Sequence, residues 1–260
     1  MSGKILQERT GDVVTLRISN PEKLNALDHA MWLALGETLR TLAADDSLRC
    51  LIVRGDGDKA FAAGGDVEEF LQLRMDVDSA WQYHEGAVAP ALDALADFPV
   101  PVVAMIQGPC IGGGLEIACC CDIRIAGKDA SFGAPINRLG FNMYAGELER
   151  VAAVAGIAET ADILLSGRVL TATEALSKGL LHRVLPTSEL ALETESTVRR
   201  IVTGAPLVAR EHKRWLKRLR SAAALSDEEK HASLALVESA DYREGLAAFL
   251  AKRKPEFSGD

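Results

Sequence analysis

In Asp12–Ile18 (DVVTLRI), apolar Leu16 and Ile18 alternate with polar Thr15 and Arg17. That period of two predicts a strand with one buried face. Asn20-Pro21 marks a turn. The period then changes: Met31, Leu35, Leu39 and Leu42 recur at helical spacing behind Asp28, a residue type suited to an N-cap. Cys50–Val53 (CLIV) is wholly apolar and predicts a short strand ended by Gly55 and Gly57. Phe61–Asp66 (FAAGGD) predicts a loop of small residues opening a helix, and residues 67–98 read as helical but irregular. Pro99 and Pro101 introduce an apolar strand, Val102–Ile106, followed by Gly108-Pro109 and a glycine triplet. An apolar helix, Leu115–Cys120, and a strand, Asp122–Ala126, come next. Thr171–Lys178 predicts a helix stopped by Gly179. From Thr187 onward the pattern is almost entirely helical. Pro206 stands at one helix start, and Ser226 with Glu229 forms a capping box at another.

Strands alternating with helices over the first part of the chain predict an α/β core, residues 1–186. Residues 187–260 predict a helical region too thin for an independent core, packed on the main domain or on a neighbouring subunit. The net charge of −8 disfavours nucleic acid or an anionic membrane as a partner. Three of the five cysteines, Cys119, Cys120 and Cys121, are adjacent and no CxxC pair occurs. Consecutive helical side chains diverge by about 100°, so these three do not converge on a metal; they read as small buried hydrophobes. No apolar leader segment and no uncharged run of about 20 apolar residues is present, so a cytoplasmic protein is the expectation.

The chemistry concentrates in Val102–Asp122 (VVAMIQGPCIGGGLEIACCCD). A buried strand delivers the chain to a tight turn, and Gly112, Gly113 and Gly114 open a helix whose first N–H groups lack intrahelical partners. These groups carry the positive end of the helix dipole and suit a negative oxygen. A turn packed closely for structural reasons alone accounts for the same glycines. Neither GxGxxG nor a lysine following the glycines is present, which disfavours a nucleotide site. Glu116 falls in the first turn of that helix among apolar neighbours. It either complements the dipole or serves as a general acid or base in a dry pocket. Ala62-Ala63-Gly64-Gly65-Asp66 presents a second small-residue loop at a helix start. Two converging backbone donors, one from each loop, make an oxyanion hole.

With these residues in view, the chain resembles the enoyl-CoA hydratase/isomerase (crotonase) family. The resemblance rests, in order, on Asn25-Ala26-Leu27, Lys59–Asp66, Pro99–Asp122, Ser131-Phe132-Gly133, Leu165–Ala175, Gly179-Leu180 and Arg243–Lys254, and so spans essentially the whole chain. It implies a spiral of ββα units with a C-terminal helical region used in trimer assembly, giving a homotrimer or a dimer of trimers. It also implies an acyl-CoA thioester as substrate, with no cofactor because coenzyme A is part of that substrate. The thioester oxygen would accept from the N–H groups of Gly65 and Gly113. The coenzyme would run past Lys23, Leu24, Ala62 and Ala63 beside Asp66, and Lys252 would serve a phosphate.

Glu116 matches the first catalytic glutamate of the hydratases. The second belongs in a Phe-Gly-x-Pro-Glu pattern, but here Phe132-Gly133-Ala134-Pro135 is followed by Ile136. Losing one acid–base group typically costs roughly 10²–10⁴ in rate. Tyr144 and Glu147, and the stretch Tyr83-His84-Glu85, are the candidates to stand in. Hydration of a 2-enoyl-CoA is therefore the nominal reaction. The alternatives are enoyl isomerisation, decarboxylation or C–C cleavage through the same enolate, and thioester binding without turnover. A serine hydrolase is disfavoured, since no GxSxG elbow occurs.

Overall fold

The computed structural model describes residues 3–221 and 223–260. The chain begins with a hairpin, β1 (Lys4–Thr10) and β2 (Val13–Ser19), then α1 (His29–Ala43) and β3 (Cys50–Gly55). Next come α2 (Val67–Leu73), α3 (Val77–Tyr83), one π-helical stretch at His84–Val88, and α4 (Ala89–Ala96). Then follow β4 (Val102–Ile106), β5 (Pro109–Ile111), α5 (Gly113–Cys120), β6 (Ile123–Gly127) and β7 (Ser131–Gly133). The rest comprises α6 (Ala145–Ala155), α7 (Ile157–Ser166), β8 (Val169–Thr171), α8 (Ala172–Ser177), β9 (Arg183–Leu185), α9 (Leu190–Val202), α10 (Pro206–Arg218), α11 (Asp227–Ala232) and α12 (Ala240–Leu250).

Six strands form one sheet in the order β1-β2-β3-β4-β6-β9, and β5-β7-β8 form a second, smaller one. Only the β1–β2 hairpin is antiparallel in the large sheet; every later neighbour is parallel. Parallel strands need crossovers and end up covered on both faces. Strand β4 shows the consequence, since all five of its residues are buried. Its side chains alternate: Val102, Ala104 and Ile106 join the main core, while Val103 and Met105 face the opposite side with Leu190 and Val198 of α9. The helical region thus begins by covering the outer face of the sheet.

Local signals explain the element boundaries. Asp28 caps α1 by accepting from Met31 N, and Met31, Leu35 and Leu39 are buried along one face. Thr171 with Glu174 and Ser226 with Glu229 close capping boxes on α8 and α11. Strand β1 lies at the sheet edge with mostly exposed side chains, so it carries no apolar alternation to betray it. Strands β5, β8 and β9 are three residues each, shorter than any periodicity can reveal. No helix among the described residues is long and apolar enough to cross a membrane.

Candidate active site

Two loops meet at the start of α5. Ile111 N donates to Ala62 O at 2.9 Å, and Phe61 and Ala62 N–H both donate to Pro109 O at 3.0 and 3.1 Å. The contact is backbone against backbone. A β-carbon at Gly114 would sit 2.4 Å from Ala62 O, so only glycine fits there. Gly112 has φ +50° and ψ −117°, a conformation open to glycine, and it turns the chain from β5 into the helix. On the other loop, Leu27 N donates to Gly64 O and Asp66 N to Leu27 O, both at 2.8 Å. Asp66 then caps α2 through Glu68 N.

This packing satisfies much of the loops' polar backbone but leaves several amides over, those of Gly65 and Gly113 among them. Among the described residues, neither Gly65 N–H nor Gly113 N–H has a protein acceptor. Both residues line the same cavity, of about 250 Å³. Its wall is largely apolar and aromatic, with Trp32, Phe70, Val88, Ile136, Phe141 and Met143 prominent.

Several polar side chains open into that cavity beside the two amides, Glu116, Glu147, His84 and Tyr144 among them. Glu116 is 6% exposed, and among the described residues its carboxyl has no side-chain hydrogen-bond partner. Burial pushes its pKa well up, and the nearby Glu147 pushes in the same direction. Glu147, from the first turn of α6, is 3% exposed, and burial raises it from 4.5 to about 7. His84 Nδ1 lies 2.5 Å from Glu147 Oε1. The proximity resembles an ion pair, yet burial lowers His84 to about 4, so its imidazole is neutral near pH 7. Tyr144 stacks on His84 with ring centroids 5.0 Å apart and donates its hydroxyl to Glu85 at 2.6 Å. His84, which opens the π-helical stretch, is buried, while the next residue, Glu85, is exposed.

The fold brings Gly65, Gly113, Glu116, Ala63, Ile136 and Tyr144 together around this cavity. It places other anticipated residues elsewhere. Ala62 is wholly buried behind the loop, holding Ile111. Lys23 faces a separate surface recess with Asp66, and its ammonium is paired to Asp66 at 2.6 Å and Glu68 at 2.8 Å. Leu24 is exposed, with φ +51°. Lys252 is exposed near the C-terminus and outside the cavity wall of its own chain. Arg74 is a charged lining residue that the sequence pattern does not point to. It follows α2 in Leu73-Arg74-Met75, where a lone arginine at a helix end reads as a solvated cap.

The family model for enoyl-CoA hydratase/isomerase matches residues 8–260. This chain belongs to that family. A solved structure described as an enoyl-CoA hydratase/carnithine racemase from Magnetospirillum magneticum is 43% identical, with a TM-score of 0.96 over 98% of this chain and 96% of that one. The "Crotonyl-CoA hydratase" of Syntrophomonas wolfei is 31% identical, covering 97% of each chain. The "Probable enoyl-CoA hydratase" of Rhizobium meliloti (strain 1021) is 32% identical, again over 97% of each. The architecture is therefore the mixed α/β crotonase fold, and the carboxyl residues above line a cavity in a family of enoyl-CoA enzymes.

Proposed function

We propose that this protein hydrates 2-enoyl-CoA thioesters, with Glu147 supplying the carboxyl group that Ile136 does not. One observation carries the reading: Glu116 and Glu147 open into the same apolar cavity as the unpaired amides of Gly65 and Gly113. The thioester oxygen accepts from those two N–H groups. The Glu147 carboxylate takes a proton from water as the water oxygen bonds to C3. The electron pair of the C2–C3 bond moves toward the thioester, and negative charge builds on its oxygen where the amides wait. The carboxylic acid of Glu116, kept protonated by burial, passes its proton to C2. The product gains the elements of water; Glu147 ends protonated and Glu116 ionised, and proton exchange with solvent resets both.

Coenzyme A enters only as part of the substrate in this reading, and no separate cofactor is required. A homotrimer or dimer of trimers in the cytoplasm is part of the same proposal. Exposed Phe249 and Leu250, each 80% accessible in the single chain, support an assembly role for α12.

The second reading is isomerisation, in which Glu116 alone carries a proton between C2 and C4. The apolar contribution of Ile136, Leu139 and Met143 favours it, because a drier wall opposes water addition. Crotonyl-CoA hydration by wild type, Glu116→Gln and Glu147→Gln decides between them. Turnover lost in both variants supports hydration through two carboxyls. Turnover of a 3-enoyl-CoA that survives in Glu147→Gln points to isomerisation. Thioester binding with neither activity leaves decarboxylation, C–C cleavage or binding alone.

A further inference from the structure

Arg74 is the only arginine or lysine among the residues lining the cavity. Its guanidinium carbon lies 4.2 Å from the ring centre of Phe70, 4.9 Å from that of Phe141 and 5.5 Å from that of Tyr83. Aromatic faces hold a guanidinium by cation–π attraction and leave its in-plane N–H donors unused. Here those donors find no hydrogen-bond acceptor among the described residues. Its side chain is only half-buried, unlike the unpartnered Nε1 of Trp32, which is sealed from solvent. The nearby carboxyls of Glu147 and Glu116 favour its charged form through space, but among the described residues neither makes an ion pair or hydrogen bond with it. A half-buried guanidinium whose donors have no direct protein acceptor is stabilised when a ligand supplies one.

Position indicates which part of a ligand does so. A β-carbon at Gly65 would lie 3.1 Å from Phe70 Cζ, and Arg74 stacks on the same ring. Gly65, whose amide would hold the thioester oxygen, and Arg74 therefore both adjoin Phe70 on the wall of one cavity, which places the guanidinium toward the acyl group of a bound thioester.

We propose that Arg74 binds a carboxylate at the distal end of the acyl group, so that this enzyme prefers thioesters of dicarboxylic acids over those of simple fatty acids. The proposal rests on the assignment of the cavity to an acyl-CoA with its oxygen at Gly65 and Gly113. A guanidinium held over the Phe70 ring keeps N–H donors free, and two of them match a carboxylate through parallel hydrogen bonds.

Binding of saturated, unreactive thioesters tests this without relying on turnover. Adipyl-CoA, hexanoyl-CoA and free coenzyme A are titrated calorimetrically against wild type, Arg74→Met and Arg74→Lys, with thermal melts to establish folding. The expected result is tighter binding of adipyl-CoA than hexanoyl-CoA by wild type. That ratio falls roughly 10- to 100-fold in Arg74→Met, with part of it kept by Arg74→Lys. Equal affinity of wild type for the two thioesters overturns the proposal. An equal loss for all three ligands in Arg74→Met overturns it too, since Arg74 would then grip coenzyme phosphates. If the ratio behaves as expected but no 2-enoyl-CoA is hydrated, the reaction assignment fails while the carboxylate site stands. Failure to bind any thioester sinks both.

Discussion

His84 Nδ1 lies 2.5 Å from Glu147 Oε1, with both side chains buried against the cavity that Glu116 also lines. Burial drives the two groups toward neutrality from opposite sides, His84 down to about 4 and Glu147 up to about 7. Between those values a carboxylic acid donates to a neutral imidazole. Above about 7 the imidazole N–H donates to a carboxylate instead. The hydrogen bond persists through the exchange of roles, so His84 steers the carboxyl in either protonation state.

The pH dependence follows directly. If ionised Glu147 activates water, kcat/KM for crotonyl-CoA rises with pH and levels off above about 7. His84→Phe removes the donor that favours the carboxylate, so the rise moves to higher pH while the protein stays folded. A profile flat through neutrality, identical in both proteins, rules out Glu147 as the base.

Replacing either carboxyl is expected to cost roughly 10²–10⁴ in hydration rate. Glu116→Gln should also abolish exchange of the α-proton of a saturated acyl-CoA in heavy water, with thioester affinity retained. Mass spectrometry of the recovered thioester reads this out, and undiminished exchange in Glu116→Gln removes that residue from the chemistry.

The two glycine loops respond differently to alanine. In Gly114→Ala the new β-carbon meets Ala62 O at 2.4 Å, and backbone has to shift. Overpacking of this kind costs about 1–3 kcal/mol, and here it also spreads the loops that carry the amides. Gly65→Ala meets only Phe70 Cζ at 3.1 Å, the far end of a side chain that can yield. The expected result is a lowered Tm and lost activity in Gly114→Ala, against near-wild-type behaviour in Gly65→Ala. Thermal melts paired with rate assays on the two variants would expose an error in this ordering.

Burial of Glu147 also has a stability signature. Its folded pKa, about 7, lies above the ordinary 4.5, so the folded state binds the proton more tightly. The favourable contribution is complete below about 4.5 and is lost as pH rises through about 7. Relative to Glu147→Gln, the wild type should weaken by on the order of 3 kcal/mol across that window. Urea unfolding of both proteins at several pH values measures the difference, and a constant gap contradicts it.

The sequence by itself determined the elements that announce themselves through periodicity or chemistry. The face of α1 behind Asp28, the apolar run of β4, the helix from Thr171 stopped at Gly179, the capping box at Ser226, and the glycine-rich entry to α5 are local patterns. Glu116 was legible for the same reason, a lone charge inside an apolar helix. The edge strand β1 and the three-residue strands were not, because their residues are exposed or too few to repeat. Only the tertiary structure brought Glu147 of α6 and His84 of the π-helical stretch within 2.5 Å, across 63 positions of chain. It alone set Arg74 on the rings of Phe70 and Phe141, and it paired Lys23 with Asp66 and Glu68 outside the cavity. Apart from Arg74 on Phe70, four residues away, each of these is a contact between segments far apart in the chain. Local propensity fixes how each segment folds, but which charge meets which ring or carboxyl depends on how the helices pack around the sheet.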